Sequence, residues 1–245
     1  MTTALGRRAL AELVGTAFLV MAIIGSGIAA SRLSPGESGL QLLENSLVTG
    51  AALVALILAL QPVSAAFNPV VTLIERLLGV IGSREAVVLI TGQLLGGLLG
   101  AVLANLMFGM PAVTVSTHSR SGAGLWLAEI IATAGLLLII FGAARARRTD
   151  RIAYAVGAYI TAAYWFTSST SFANPAVTIA RMFSDSFAGI APGSVPAFLL
   201  AQAIGGAAAY VLIRILYPTS TPLPTAEDRN DHQPDHRPTA PDHRL

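Results

Sequence analysis

The stretch SAAFNPVVTLIER occupies residues 64–76, and TSFANPAVTIARM occupies residues 170–182. Each holds an Asn-Pro pair followed, one residue later, by Val-Thr, and each falls in a break between long apolar runs. Asn is a favoured helix N-cap and Pro is favoured at the first helical position, so Asn68-Pro69 and Asn174-Pro175 each read as the start of a short helix. About two turns of apolar chain follow each pair, too little to cross a bilayer and enough to reach its middle.

The rest of the chain says that a bilayer is the solvent. The 245 residues are 54% hydrophobic and 11% charged, with a mean hydropathy of +0.68, too apolar for a water-soluble domain. Six runs, near residues 9–30, 46–65, 85–108, 125–143, 152–170 and 195–217, are long enough to span it. All six read as helices, because open strands leave backbone groups unpaired in lipid and the runs are too uniformly apolar for barrel strands. The first run is too long for a signal peptide and carries Glu12, so it is expected to stay in the mature protein. There is no cysteine, which excludes disulfides and thiolate metal sites.

Every basic side chain is arginine, and 12 of the 15 fall at the two termini and in the loops after the second and fourth runs. Arg32, Arg120 and Arg181 fall on the opposite side. The positive-inside rule therefore places both termini in the cytoplasm, with ARARRTDR at residues 144–151 as the strongest vote. Charges this scattered do not point to a nucleic-acid partner.

The chain repeats itself. AELVGTAFLV from Ala11 matches AEIIATAGLL from Ala128, pairing Glu12 with Glu129 and Thr16 with Thr133. The two Asn-Pro stretches match, and GQLLGG from Gly92 matches AQAIGG from Ala201. Three anchors in one order make two copies of a three-span unit. An odd number of spans inverts the second copy, so the two Asn-Pro boxes enter the membrane from opposite faces and meet near its middle. Residues 1–109 form the first repeat, 110–124 an extracytoplasmic connection, 125–217 the second repeat, and 218–245 a Pro- and Asp-rich tail expected to be disordered.

On these residues the sequence resembles the major intrinsic protein family, the aquaporins and glycerol facilitators, from Ala9 to Tyr217. The resemblance implies an all-α fold of six transmembrane helices plus two re-entrant half-helices, a homotetramer with one pore per subunit, and no cofactor. It implies that Asn68 and Asn174 donate hydrogen bonds to a passing molecule while the opposed half-helix dipoles repel cations and protons. Pro69, Val70, Pro175 and Ala176 complete the two boxes. Glu12 and Glu129 are implied to hold the re-entrant loops, a structural role set against a proton relay.

Two departures from the family stand out. The first box reads Asn-Pro-Val instead of Asn-Pro-Ala, adding two methyls at Val70. The outer constriction, counted ungapped from the boxes, falls on Val48, Ala162, Ser171 and Val177; the family usually has an aromatic at the first, a His or Gly at the second and Arg at the last. Losing the guanidinium removes up to five donors and a fixed charge. The reading is a wide, apolar constriction that admits water, glycerol-like polyols and neutral metalloid hydroxides such as arsenite. The second box also resembles bacterial members associated with arsenic resistance, which implies an inner (plasma) membrane. A water-selective channel and a proton-coupled secondary transporter are the alternatives. No nucleophile, base and metal-ligand set converges in the spans, so an enzyme is not expected.

Tyr164, Trp165 and Phe166 are expected in an interfacial belt, with one of them available to replace the missing aromatic. Arg181, seven residues past Asn174, reads as a loop or headgroup contact, with a displaced pore cation as the alternative. Three Asp-His pairs in the tail, at Asp231, Asp235 and Asp242, read as solvated.

Overall fold

The structure is a computed structural model and describes residues 4–218. The predicted tail and its Asp-His pairs lie outside the described residues, apart from Pro218. The first repeat holds α1 (Ala4–Leu33), α2 (Ser38–Leu60), the half-helix α3 (Pro69–Leu77) and α4 (Ser83–Met107). The second holds α5 (Ala123–Arg145), α6 (Ile152–Phe166), the half-helix α7 (Pro175–Ala180) and α8 (Val195–Leu216). Among the described residues there is no strand.

Five of the six expected spans are long and apolar enough to cross a membrane by themselves. The sixth, α6, has 15 residues after a 3-10 turn at Thr149–Arg151, and ends four residues earlier than its apolar run suggests. The cause lies in the hydroxyl-rich segment that follows. Thr167 Oγ1 donates to the Ala163 carbonyl at 2.6 Å, and Thr170 and Ser171 turn left-handed at φ 61° and 49°. The chain leaves the helix there and turns back toward the membrane centre. At the other break, α2 stops at Leu60, just before Gln61-Pro62, because a proline cannot donate into the helix ladder.

Packing repeats with the sequence. α1 lies most extensively against α4, and α5 against α8. The approach is close enough to exclude side chains. A Cβ at Gly96 would sit 2.2 Å from the Leu13 carbonyl oxygen, and one at Gly205 would sit 2.6 Å from that of Ile130. Leu13 and Ile130 follow Glu12 and Glu129 directly, so the crossing point is the same in both copies.

The two repeats interlock through their half-helices: α3 packs on α8, α7 packs on α4, and α2 meets α6 across the seam. This explains the tolerance of Val in the first box. Val70 is buried among Leu137, Phe141 and Ala209, and its Cγ2 lies 2.8 Å from where a Cβ of Gly206 would be. Its extra methyls fill space that the glycine leaves.

Candidate pore

Each re-entrant loop is held by one buried carboxylate. Glu12 Oε1 accepts from Ser64 Oγ at 2.5 Å and Ala66 N at 2.9 Å, and Oε2 accepts from Phe67 N at 2.7 Å and Gln93 Nε2 at 2.8 Å. Glu129 repeats the pattern, with Ser169 Oγ at 2.7 Å and Phe172 N at 2.8 Å on one oxygen. Ala173 N at 2.9 Å and Gln202 Nε2 at 2.8 Å bind the other. Gln93 and Gln202 each also donate to a threonine of their half-helix, Thr72 and Thr178, at 2.9 Å. Both carboxylates are fully buried and neither lines the lumen. Four donors on each satisfy the charge.

These clamps set the two asparagines tip to tip. Asn68 Oδ1 accepts from Val70 N at 3.1 Å, and Asn174 Oδ1 accepts from Ala176 N at 2.9 Å and Val177 N at 3.2 Å. Pro69 and Pro175 occupy the first helical positions, as the sequence suggested. Asn68 Nδ2 donates to the Ala173 carbonyl, and Asn174 Nδ2 donates to the Phe67 carbonyl, both at 2.8 Å. Each box is thus tied to the loop of the other. An amide nitrogen carries two hydrogens, so each asparagine keeps one donor for the lumen.

That lumen is a single cavity of about 160 Å³ lined by Asn68 and Asn174 at its middle. At roughly 10–15 Å³ per water it has room for on the order of ten waters. It reaches from Gln61, Glu75 and Thr149 at one end to Phe172, Val177 and Arg181 at the other. One wall is polar, made by the re-entrant loops and the asparagines. The other is apolar, made by Leu53 and Ile57 of α2, Val156 and Ile160 of α6, and Ile23 of α1.

The structure brings two of the four expected constriction residues to the cavity. Ser171 and Val177 line the cavity, each 3% exposed to solvent. Val48 and Ala162 do not. Val48 is 43% exposed and Ala162 is also on an outer face. The helical period explains the error: Thr49, Leu53 and Ile57 form the inward stripe of α2, and Val156, Ile160 and Tyr164 that of α6. Val48 is one residue, about 100°, off the first stripe, and Ala162 sits midway between two members of the second.

Thr49 and Tyr164 line the cavity beside them, their hydroxyls 3.2 Å apart. Of the three aromatics that the sequence offered as a replacement, Tyr164 is the one that lines the cavity. Trp165 points outward, half exposed, with its Nε1 donating to Ser46 Oγ at 3.2 Å. Phe166 is exposed as well and packs edge-on to Tyr159. Arg181 does not reach outward: it is 2% exposed and lines the lumen, its guanidinium 3.5 Å from the centroid of the Phe172 ring. Its Nε donates to the Ala188 carbonyl.

Two half-helices with capped N-termini thus oppose each other beside one cavity that runs past both asparagines. The sequence profile described as "Major intrinsic protein" matches residues 1–167. Aquaglyceroporin AqpS of Rhizobium meliloti is 43% identical over 220 residues, covering 89% of this chain and 94% of that one. Aquaporin A of Dictyostelium discoideum is 32% identical over 180 residues, covering 67% of this chain and 63% of that one. The crystal structure of the aquaglyceroporin from Plasmodium falciparum superposes with a TM-score of 0.67 at 20% identity, covering 88% of this chain and 97% of that one, a likeness of fold. The chain belongs to the major intrinsic protein family and is an integral membrane protein.

Proposed function

We propose that this protein is a passive, bidirectional channel for small neutral solutes: water, glycerol-like polyols and neutral metalloid hydroxides such as arsenite. The observation that carries this reading is Val177 lining the lumen one turn past Asn174, where the family's arginine would stand. An aliphatic side chain there leaves more width and no fixed charge beside Ser171, Thr49 and Tyr164. Their hydroxyls serve one flank of a polyol, and the apolar wall of α2 and α6 serves its carbon side. The 43% identity to an aquaglyceroporin supports cargo larger than water.

In this reading the subunits assemble as a homotetramer in a bacterial inner membrane with both termini in the cytoplasm. The distribution of arginines supports that orientation. The lipid-sized apolar exposure of α2, α4 and α8 supports further burial outside the single subunit. Glu12 and Glu129 act as fixed loop anchors, since all four donors on each come from the protein itself.

Stopped-flow light scattering on proteoliposomes tests the reading with a size series of neutral solutes from water through glycerol to arsenous acid. Glycerol and arsenous acid influx at least tenfold above protein-free vesicles is expected, unaffected by a protonophore. Water permeation alone would sink the wide-constriction reading, and uncoupler-sensitive uptake would favour a secondary transporter.

A further inference from the structure

Arg181 is a cation in an unusual position. It is 2% exposed and, among the described residues, has no carboxylate partner within ion-pair distance. Its Nε is used by Ala188, and among the described residues neither terminal nitrogen has a hydrogen-bond partner. Those nitrogens are not among the polar atoms sealed from solvent, and the residue lines the lumen. A buried guanidinium without a counter-ion is costly unless water or a solute serves its donors. Here only the lumen can.

Its position relative to the constriction is set by the helix. Arg181 is four residues past Val177, which puts both on one face with Arg181 about 6 Å nearer the mouth. The Phe172 ring centroid lies 3.5 Å from the Arg181 guanidinium and 5.2 Å from that of Arg120. Arg120 spends its own donors on the carbonyls of Gly189 and Phe187. Of the two arginines, Arg181 is the one that lines the lumen.

The first repeat shows that the fold does not demand this charge. Seven residues past Asn68, at the register of Arg181, stands Glu75, which lines the other end of the same cavity. Two half-helices that agree in cap, proline and threonine carry opposite charges at this one position.

We propose that Arg181 is the charge filter of this channel, set one helical turn outward of an apolar constriction at Val177, so that ion exclusion and size selection are carried by different residues at different depths. This rests on the channel reading above. A cation meets an uncompensated guanidinium in a narrow, partly desolvated mouth before it reaches the half-helix dipoles. A neutral polyol instead finds four unused N–H donors on two nitrogens there. The chemical class favoured is an uncharged solute rich in acceptor oxygens.

The test reconstitutes the full chain, Arg181→Leu and Arg181→Lys into liposomes and reads glycerol influx, methylammonium influx and proton leak in the same vesicles. In Arg181→Leu the methylammonium-to-glycerol ratio is expected to rise at least tenfold, with a proton leak above that of the unsubstituted protein. Arg181→Lys is expected to stay within about threefold of the unsubstituted protein. An unchanged ratio in Arg181→Leu, or an equal rise in both variants, would overturn the filter and leave a packing role on Phe172. Absence of glycerol influx in the unsubstituted protein would instead overturn the channel reading. If Arg181→Leu does not reconstitute, Ser171→Asp serves in its place, since Asp tolerates the left-handed backbone at that position. A carboxylate there is expected to cancel the mouth charge and raise the same ratio, and an unchanged ratio would count against the proposal.

Discussion

The two repeats agree wherever the fold is at stake and differ where the lumen begins. Glu12 and Glu129 each accept one hydroxyl, two backbone N–H groups and one glutamine amide, and the glycines at the α1–α4 and α5–α8 crossings meet equivalent carbonyls. Past the boxes the copies diverge: Glu75 faces one end of the cavity and Arg181 the other. The loops diverge too. The first needs one left-handed residue, Phe67 at φ 50°, whereas the second has Thr170, Ser171 and Ala173 at 61°, 49° and 47°. The anchoring hydroxyl is four residues before Asn68 but five before Asn174. The extra residue is taken up as a tighter turn. Symmetry thus belongs to the scaffold, and asymmetry to the selective side of the pore.

The largest way to break this comparison is to remove the carboxylates. Glu129→Ala leaves buried N–H and hydroxyl donors unpaired beneath three strained residues, each strained by roughly 1–3 kcal/mol. It is expected to cost upward of about 3–5 kcal/mol, enough to lose the folded protein. Glu12→Ala is expected to cost less, because its loop stores less strain. Apparent unfolding midpoints in detergent compare the two. A first-repeat variant as unstable as the second would mean that the left-handed turns are not strained.

A second test bears on the lumen itself. Val177→Arg adds a guanidinium one turn inside Arg181, narrowing the constriction and placing two like charges on one face. Glycerol influx is expected to fall at least tenfold, about 1.4 kcal/mol of barrier, with water reduced less. Equal loss of both solutes would mean that the variant closes the pore outright, and no loss would mean that Val177 is not at the narrowest point.

What the sequence made legible follows from the same contrast. The boxes, the carboxylates and the glycines could be read because each occurs twice in one order, and duplication marks what the fold requires. The faces of α2 and α6 could not. In water an amphipathic period shows which side of a helix is buried, but here lipid on one side and the apolar wall of the lumen on the other are equally hydrophobic. Val48 and Thr49 were therefore told apart only by counting, and the count ran across an irregular loop. The signal that would have served is the stripe of Thr49, Leu53 and Ile57, in which a threonine keeps helical register with the lumen wall. Arg181 was open to two readings, a loop or headgroup contact and a displaced pore cation, for a related reason. Distance along the chain suggested an exit from the membrane, whereas the register with Val177 keeps it inside.

A smaller test makes the two tips alike. Val70→Ala gives the first box the Ala of the second and deletes two methyls packed over Gly206. The void is expected to cost roughly 1–2 kcal/mol, read as a lower apparent unfolding midpoint. An unchanged midpoint would show that α8 closes over the gap.

The smallest expected effect concerns pH, and it belongs to one mouth only. His118, in the loop before α5, is the only histidine among the described residues. Its pKa is lowered from 6.5 by partial burial first, then by the charges of Arg120 and Arg181, with Asp185 opposing them. A lowered value means that the folded protein holds the neutral imidazole while the unfolded chain takes up its proton more readily. Stability contributed by this site is therefore complete above pH 6.5 and declines as the pH falls below it. For a group this exposed the loss is expected to stay under about 1 kcal/mol. Unfolding midpoints of the unsubstituted protein and His118→Gln at pH 7.5 and about pH 5.5 isolate it, because glutamine cannot titrate. The difference between the two proteins should widen in favour of the variant at the lower pH. If both decline in parallel, the mouth that carries Arg181 does not sense protons through His118.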